Sequence, residues 1–523
     1  LGVTANFFYL GGHSLKAAVV VSRIHKELHV KVPLIEIFKT PTIRGLAAYI
    51  RLSAEDKYAA IEPVEKRAYY ALSSAQKRLF FVKKMDVNGT GYNMPMIIPL
   101  DGPIAVEKLT ETFRRLIDRH ESLRTSFAMP GIEPVQRIER QVEFSLEYHE
   151  AVNRGEDLGV GEIEGIINDF VRPFDLSEPP LLRVGLIKEC RDRYILMVDM
   201  DHIIADGISL QILREDFMAL YNGGEPPASL RLQYKDFADW QNNLFKSDRL
   251  KGQKDYWLSV YSDGVPTLNL AADFPRPAVF TFAGDSYDFI LDKIHTFQLR
   301  ELSRDNHSSL HMNLLTALNV LLHRYTDQDD IVVGIPIAGR PHADLQGIIG
   351  MFVNMLAVRS YPARDKTYQG FLAEVKKSCF DAFDNQDVPF DELIRLLGIE
   401  RDPSRNPLFD VALVMQNFER QIGEIREQDR ESADILYGQQ NKTSKFDLTL
   451  YIFEGDEEID FKFVYYQDIF KKKTIERISK NYIELIEQVI DDVDIRLKEI
   501  KLSHYSVPVD PAVLYNVDDQ FGF

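Results

Sequence analysis

The run Met197-Val198-Asp199-Met200-Asp201-His202-Ile203-Ile204-Ala205-Asp206-Gly207-Ile208-Ser209-Leu210 holds the residues best placed to do chemistry. An imidazole that exchanges protons near neutrality stands beside one carboxylate, Asp201, and shortly before another, Asp206. Such a set suits proton transfer to or from a nucleophile held in a cleft. The local pattern supplies the setting. Tyr194 to Val198 reads as a short buried strand and Asp206-Gly207 as a turn; Ile208, Ile212, Leu213, Phe217 and Leu220 then recur at helical spacing until Gly223-Gly224. His202 therefore falls where a strand meets a loop. Residue types alone leave two readings open, a proton-handling group and a satisfied structural histidine. If Asp201 and His202 end the strand, their side chains point to opposite faces and only one can face a cleft. Alternation alone does not say which of the two it is.

A second reactive candidate lies near the start, in Gly11-Gly12-His13-Ser14-Leu15. Two glycines permit a tight loop, and the spacing predicts Ser14 at the N-cap of a helix carrying Leu15, Ala18, Val19, Ile24 and Leu28. A phosphate attached to Ser14 would meet the positive end of that helix and its free N–H groups. An ordinary capping serine would look the same.

These groups must be positioned by a chain of 523 residues, 45% of them hydrophobic, which is enough for several packed units. With 62 Lys and Arg against 80 Asp and Glu, the net charge of -18 argues against attraction to nucleic acid or an anionic membrane. Cys190 and Cys379 stand far apart without His or Cys neighbours at ligand spacing, so no disulfide framework and no metal site is expected. A reducing, cytoplasmic location fits. No apolar stretch reaches membrane-spanning length and no signal peptide is visible. The chain opens at Leu1 inside what reads as a loop, so we expect its true amino terminus to lie further upstream.

Along the chain, residues 1–52 read as a small helical unit, followed by a charged, weakly patterned linker over 53–70 in which Pro63 interrupts any helix. Little apolar surface is expected to be buried there. Helical and strand-like segments then alternate for over four hundred residues without a short repeat, and a tail over 506–523 reads as extended.

Asn6 to Leu15, followed by Val32-Pro33-Leu34-Ile35-Glu36-Ile37-Phe38 and Thr40-Pro41-Thr42-Ile43, resembles a peptidyl carrier domain. The resemblance implies 4'-phosphopantetheine attached to Ser14. It also implies a four-helix bundle, of which the first helix has no counterpart because only thirteen residues precede Ser14. Asp201-His202-Ile203-Ile204-Ala205-Asp206-Gly207 resembles the HHxxxDG signature of condensation domains of nonribosomal peptide synthetases, with Asp201 in place of the first histidine. Other segments resemble motifs of that family in the expected order: Ser73 to Phe80, Arg119 to Phe127, Tyr234 to Trp240, Gly334 to Arg340, Gln386 to Phe390 and Arg401 to Phe409.

What the family implies is a multidomain chain, a small all-α carrier followed by an α+β condensation domain. That domain has two chloramphenicol-acetyltransferase-like lobes in a V, at 71–245 and 246–505, with a tunnel between them and His202 midway. The resemblance gives His202 the catalytic role. It makes Asp206 a scaffold whose partner is Arg340 of the other lobe, with Gly207 completing the motif. Arg124 is expected to be a structural ion-pair partner, and His120 to sit on a polar helix face without a role. Implied partners are an upstream adenylation domain, downstream adenylation and acceptor carrier domains, and a phosphopantetheinyl transferase. The reaction implied is amide formation between a carrier-bound donor and the α-amine of an acceptor aminoacyl thioester. Such an amine, with a pKa of about 7.7–8.0, is already roughly a tenth to a sixth neutral at pH 7, so a strong base is not required.

Three rivals belong to this reading. Asp201 to Ser209 also satisfies the DxxxxDxxS pattern of heterocyclisation domains, against which the retained His202 counts. An epimerisation domain is disfavoured by Leu210, where that subtype has tryptophan. From another class, loss of the first histidine fits a condensation-like platform without activity.

Overall fold

The computed structural model describes residues 2–12, 14–150, 159–190, 192–223, 228–416 and 443–504. The tail over 506–523 lies outside the described residues.

The first unit is helical: α1 (Ser14–Leu28), α2 (Leu34–Lys39) and α3 (Ile43–Leu52), after a 3-10 turn over Phe8–Leu10. Ser14 is the first helical residue of α1, one position inside the expected N-cap. Gly11, at φ 79°, ends the turn in the left-handed region, and a Cβ on Gly12 would come within 2.4 Å of the Phe7 ring. The glycines therefore serve the chain reversal that delivers Ser14 to the helix start.

Residues 54–68 form no helix or strand, yet they are not loosely held. Ile61 is buried among Leu232, Tyr234, Phe237, Ala238, Leu345, Ile348 and Phe352. Its N–H donates to Asp344 Oδ2 (3.2 Å) and its carbonyl accepts from Arg231 (2.7 Å). The expectation of little buried apolar surface is thereby corrected. One side chain in a polar stretch is enough to pin it, a signal too sparse for any periodicity to reveal.

The N-terminal half contains β1 (Tyr70–Ala71), α4 (Ser74–Met85), β2 (Met96–Asp101), α5 (Val106–Arg119), β3 (Thr125–Ala128), β4 (Val135–Ile138) and β5 (Glu147–Glu150). It continues with α6 (Val160–Phe170), β6 (Leu182–Cys190), β7 (Arg193–Met200), α7 (Gly207–Tyr221) and α8 (Tyr234–Lys246). Its main sheet has the order β2-β7-β6-β5, and a smaller one the order β1-β4-β3. Strand β7 is central, antiparallel to both neighbours, and buried from Ile195 onward. That explains why its apolar run is continuous and not alternating.

The C-terminal half comprises α9 (Lys251–Val260), β8 (Gly284–Leu291), α10 (Lys293–Asp305), α11 (Leu310–Thr326), β9 (Ile331–Ile337), β10 (Asn354–Ser360), α12 (Tyr368–Asp384) and α13 (Phe390–Leu397). It ends with β11 (Val411–Gln416), β12 (Leu448–Glu454), β13 (Ile459–Tyr466) and α14 (Lys472–Asp491). Its six-stranded sheet runs β10-β9-β11-β12-β13-β8, parallel only at β9–β11 and β11–β12. Helices α11, α12 and α14 supply much of the core behind it; Leu314, Leu318, Phe371, Val375, Tyr482 and Leu485 are among the residues buried there.

Two features join the units. Ile349 and Met351, from the C-terminal half, belong to the apolar core of the N-terminal half. On the other side, Ala17, Leu34, Ile37 and Phe38 of the helical unit join the core of the C-terminal half, with the Phe38 ring 5.0 Å from that of Phe380 on α12. Lys26 of α1 pairs with Asp344 at 2.9 Å.

Candidate active site

Strand β7 stops at Met200, and the reactive stretch follows it. Asp201 makes a single bridge with Asn93, and His202 opens a turn whose N–H donates to Tyr92 O at 2.9 Å. The two residues thus lie just beyond the ladder, not at its last two positions. The side chains still part company. His202 lines a cavity of about 3810 Å³, whereas Asp201 is buried and is not among its lining residues.

His202 Nδ1 lies 2.8 Å from Ala205 O, an oxygen that only accepts, so Nδ1 carries the proton and Nε2 keeps its lone pair. Burial, with the nearby Lys445 cation second, pushes the imidazole down to about 4. At neutral pH it is an uncharged acceptor. Behind it, Asp201 Oδ1 accepts from Ile203 N (3.0 Å), and its Oδ2, without a hydrogen bond, stands 3.9 Å from Lys83 Nζ. Asp199, two residues back on the same strand face, takes Asn93 Nδ2 at 2.7 Å and Arg183 Nη1 at 3.3 Å, and burial raises it to about 7.

Asp206 works differently. Its Oδ1 caps α7 by accepting Ser209 N (2.8 Å) and Ser209 Oγ (2.7 Å), and also lies 3.1 Å from Arg340 Nη2. Its Oδ2 accepts Phe352 N at 3.1 Å. The Arg340 guanidinium donates to Leu345 O and Ile348 O, both at 2.7 Å, and lies 3.9 Å over the Phe352 ring. Both side chains are buried. The pair therefore locks the 345–352 crossing segment onto the start of α7, where Gly207 lines the cavity beside His202. Gly339, at φ 62°, has no room for a Cβ, which would sit 1.8 Å from Phe352 O.

Arg124 lies apart from this group: its Nη1 donates to Glu139 O at 2.5 Å and its Nη2 stands 3.7 Å from Glu121. His120 corrects the sequence reading. It caps the end of α5 in the interior, with Nε2 2.8 Å from Asp216 Oδ2, and burial lowers its pKa. An inward turn after Arg119, invisible to the helix pattern, puts it there.

The cavity extends well beyond His202. Its lining includes Phe8, Tyr9, Gly11, Gly12 and Lys16 of the helical unit, His311 on α11, and Lys445. The sequence reading missed Tyr92, Asn93 and Lys445, which are remote in the chain; Asp199 was within reach of a period-two argument from Asp201. At the loop before Ser14, the start of a fifteen-residue helix suits a phosphate through the backbone N–H groups of its first turn and helix polarity. Among the described residues no group of His, Cys, Asp and Glu is arranged to hold a metal, and no helix is long and apolar enough to cross a membrane.

The fold thus joins a small helical unit to a two-sheet α+β body, and the loop before Ser14 lines the same cavity as His202. Residues 66–505 match the condensation domain family and residues 1–50 the phosphopantetheine attachment site family. The chain belongs to the condensation domain family and carries a phosphopantetheine attachment module at its start. It is 43% identical to gramicidin S synthase 2 of Brevibacillus brevis over 96% of its length, covering 11% of that protein. To tyrocidine synthase 3 of Brevibacillus parabrevis it is 43% identical over 96%, covering 8%. It thus spans about a tenth of the length of these relatives. Among solved structures, the X-domain from teicoplanin biosynthesis matches 85% of this chain and 100% of its own at a TM-score of 0.73 and 23% identity. A four-domain nonribosomal peptide synthetase bound to AMP and glycine matches 85% of this chain and 34% of its own at 0.73 and 21%. These likenesses concern the fold, a mixed α+β body preceded by an all-α unit.

Proposed function

We propose that this chain is the carrier and condensation segment of a nonribosomal peptide synthetase. It joins a donor acyl group carried at Ser14 to the α-amine of an acceptor aminoacyl thioester. The observation that supports this best is one cavity lined both by the loop before Ser14 and by a neutral His202 with a free Nε2. Bound 4'-phosphopantetheine supplies the thiol that holds the donor as a thioester. The start of α1 receives its phosphate, the cavity walls exclude water, and His202 Nε2 accepts the proton of the attacking amine. Positioning supplies the larger share, ~7–11 kcal/mol, and proton handling adds ~10²–10⁴-fold.

Within this reading, Asp206, Gly207 and Arg340 hold the reactive turn, Asp201 supports it, and Arg124 is structural. The carrier occupies 1–52, the linker 53–70, the two condensation lobes 71–245 and 246–505, and the extension 506–523. An upstream adenylation domain loads the carrier, and a downstream adenylation domain and acceptor carrier present the amine. A phosphopantetheinyl transferase modifies Ser14. The location is cytoplasmic, with neither nucleic acid nor membrane as partner.

Intact-protein mass after incubation with coenzyme A and a phosphopantetheinyl transferase tests the carrier. One phosphopantetheine should add to the wild type and none to Ser14→Ala; a persisting shift in the variant refutes the assignment. Radiolabelled transfer to a loaded acceptor then tests the reaction, a linear amide being the expected product.

A further inference from the structure

Lys445 brings a cation from the C-terminal half into the wall of the cavity that holds His202. Its backbone is fixed. Thr443 bridges Ala283, Ser444 N–H donates to Phe282 O (2.9 Å), and Ser444 Oγ donates to Phe446 O (2.6 Å). A Cβ on Gly284 would fall 2.4 Å from the Thr443 carbonyl carbon, so nothing larger than glycine lets the segment seat there. The ammonium lies 4.5 Å over the ring of Tyr92. Tyr92 in turn abuts His202, with ring centroids 6.5 Å apart and its carbonyl on the His202 N–H. Among the described residues, Lys445 Nζ makes no hydrogen bond and no ion pair, although both lobes have brought charges close to it. A partly buried cation on a cavity wall, held by an aromatic face and keeping its donors unused, is arranged to meet a negative charge from a ligand.

We propose that Lys445 is a catalytic residue that donates a hydrogen bond to the carbonyl oxygen of the donor acyl group as that oxygen becomes an oxyanion. This rests on the amide-forming reading above. The amine lone pair forms the C–N bond while the carbonyl π pair moves onto oxygen, where the Lys445 N–H meets it. His202 Nε2 takes the proton from the new ammonium. When the oxygen pair re-forms C=O, the C–S bond breaks and the sulfur leaves with its pair, receiving the proton from His202. Lys445 keeps its own proton throughout.

The charges around Lys445 come from every side of the junction: Arg78 on α4, itself 3.8 Å from Asp391 on α13, and Asp201 and His202 after β7. Burial first and Arg78 second push the ammonium down to about 8, with Asp201 pulling it back up. Its donor strength is therefore lost as pH rises through about 8.

The test uses the full chain, loaded at its carrier from a panel of aminoacyl-coenzyme A donors, with aminoacyl N-acetylcysteamine thioesters as acceptors. Single-turnover amide formation is followed from mildly acidic to alkaline pH. Lys445→Met should slow the step by ~10²-fold or more. Wild type should show a fall in rate above about pH 8. Lys445→Arg should retain most of the rate and move that fall to higher pH. In the unloaded protein with isotope-labelled, methylated lysines, one resonance should titrate near 8 and be missing from Lys445→Arg. Lys445→Met at the wild-type rate, or an alkaline fall unchanged in Lys445→Arg, overturns the proposal while leaving amide formation standing. A wild type that forms no amide with any donor removes the underlying reading and this role with it. Should Lys445→Met lose its fold, the pH profile of Lys445→Arg still decides.

Discussion

His202 is useful because it is uncharged. Its burial keeps Nε2 unprotonated, the state the proposed reaction requires for an incoming amine, and the Ala205 carbonyl fixes which nitrogen that is. Replacing His202 with Ala should lower amide formation by ~10²-fold or more in a single-turnover assay, with the fold retained by circular dichroism. At pH 7 and below, Asp201→Asn should act on stability more than on rate, since its carboxylate lies 3.9 Å from Lys83 and does not line the cavity. A folded but dead Asp201→Asn chain beside an active His202→Ala chain would reverse these roles. The same burial has a pH signature. With its folded value near 4, below the ordinary 6.5, His202 binds fewer protons when folded than when unfolded across that window. Stability should therefore fall as pH drops from 6.5 towards 4, by roughly 3 kcal/mol at most, and denaturant melts of His202→Gln should show a shallower acid limb. Residue types and spacing sufficed to find His202. Lys445 was out of reach because its approach to Tyr92 exists only once the two halves are packed.

At the scale of elements, the motif residues prove to be mostly fasteners. Ser73 caps α4 and bonds Tyr234, whose hydroxyl donates to Met351 O at 2.5 Å; Asp236 holds the linker through Val64 N at 2.8 Å. Asn354, next to the crossing segment, ties down the Gln386–Phe390 motif through Gln386 O, Val388 O and Phe390 N. The central lock is Asp206 with Arg340. Asp206→Ala would leave a guanidinium buried without its counter-charge and α7 without its cap. The loss should be ~3–5 kcal/mol, read as a lower denaturant midpoint. An unchanged midpoint would show that the carbonyls of Leu345 and Ile348 hold Arg340 unaided. Strand β7 and helix α7 were legible from the sequence, because a continuous apolar run and a helical period survive in any context. The inward turn of His120 was not, since it depends on Asp216 one helix away.

For the whole molecule, the contact between the helical unit and the C-terminal half is decisive. Asp344 gathers Lys26 of α1, the N–H of Ile61 and Arg231 onto one carboxylate, while His342 holds the Tyr58 hydroxyl at 2.7 Å and the Ala59 carbonyl at 3.0 Å. Asp344→Ala should free the carrier, giving a larger radius of gyration in solution scattering and slower transfer from its own carrier. Transfer from a soluble donor thioester should be unaffected. Equal radii for both proteins would mean that the Phe38–Phe380 packing suffices. The helical unit and its loop were readable in the sequence, but the seat it occupies was not. Surfaces that recognise each other across hundreds of residues leave no periodic trace.

The burial of Ile61 also sets the length of a leash. Only the stretch from Ser53 to Ala60 lies between the last helix of the carrier and this anchor. Eight residues drawn fully taut reach roughly 28 Å. If the carrier visits a loading domain, as proposed above, it can travel only that far from Ile61 before the isoleucine has to leave its socket. Any excursion beyond that radius would have to open the apolar pocket of Ile61 together with the hydrogen bonds that Asp344, His342 and Arg231 make to residues 58–61.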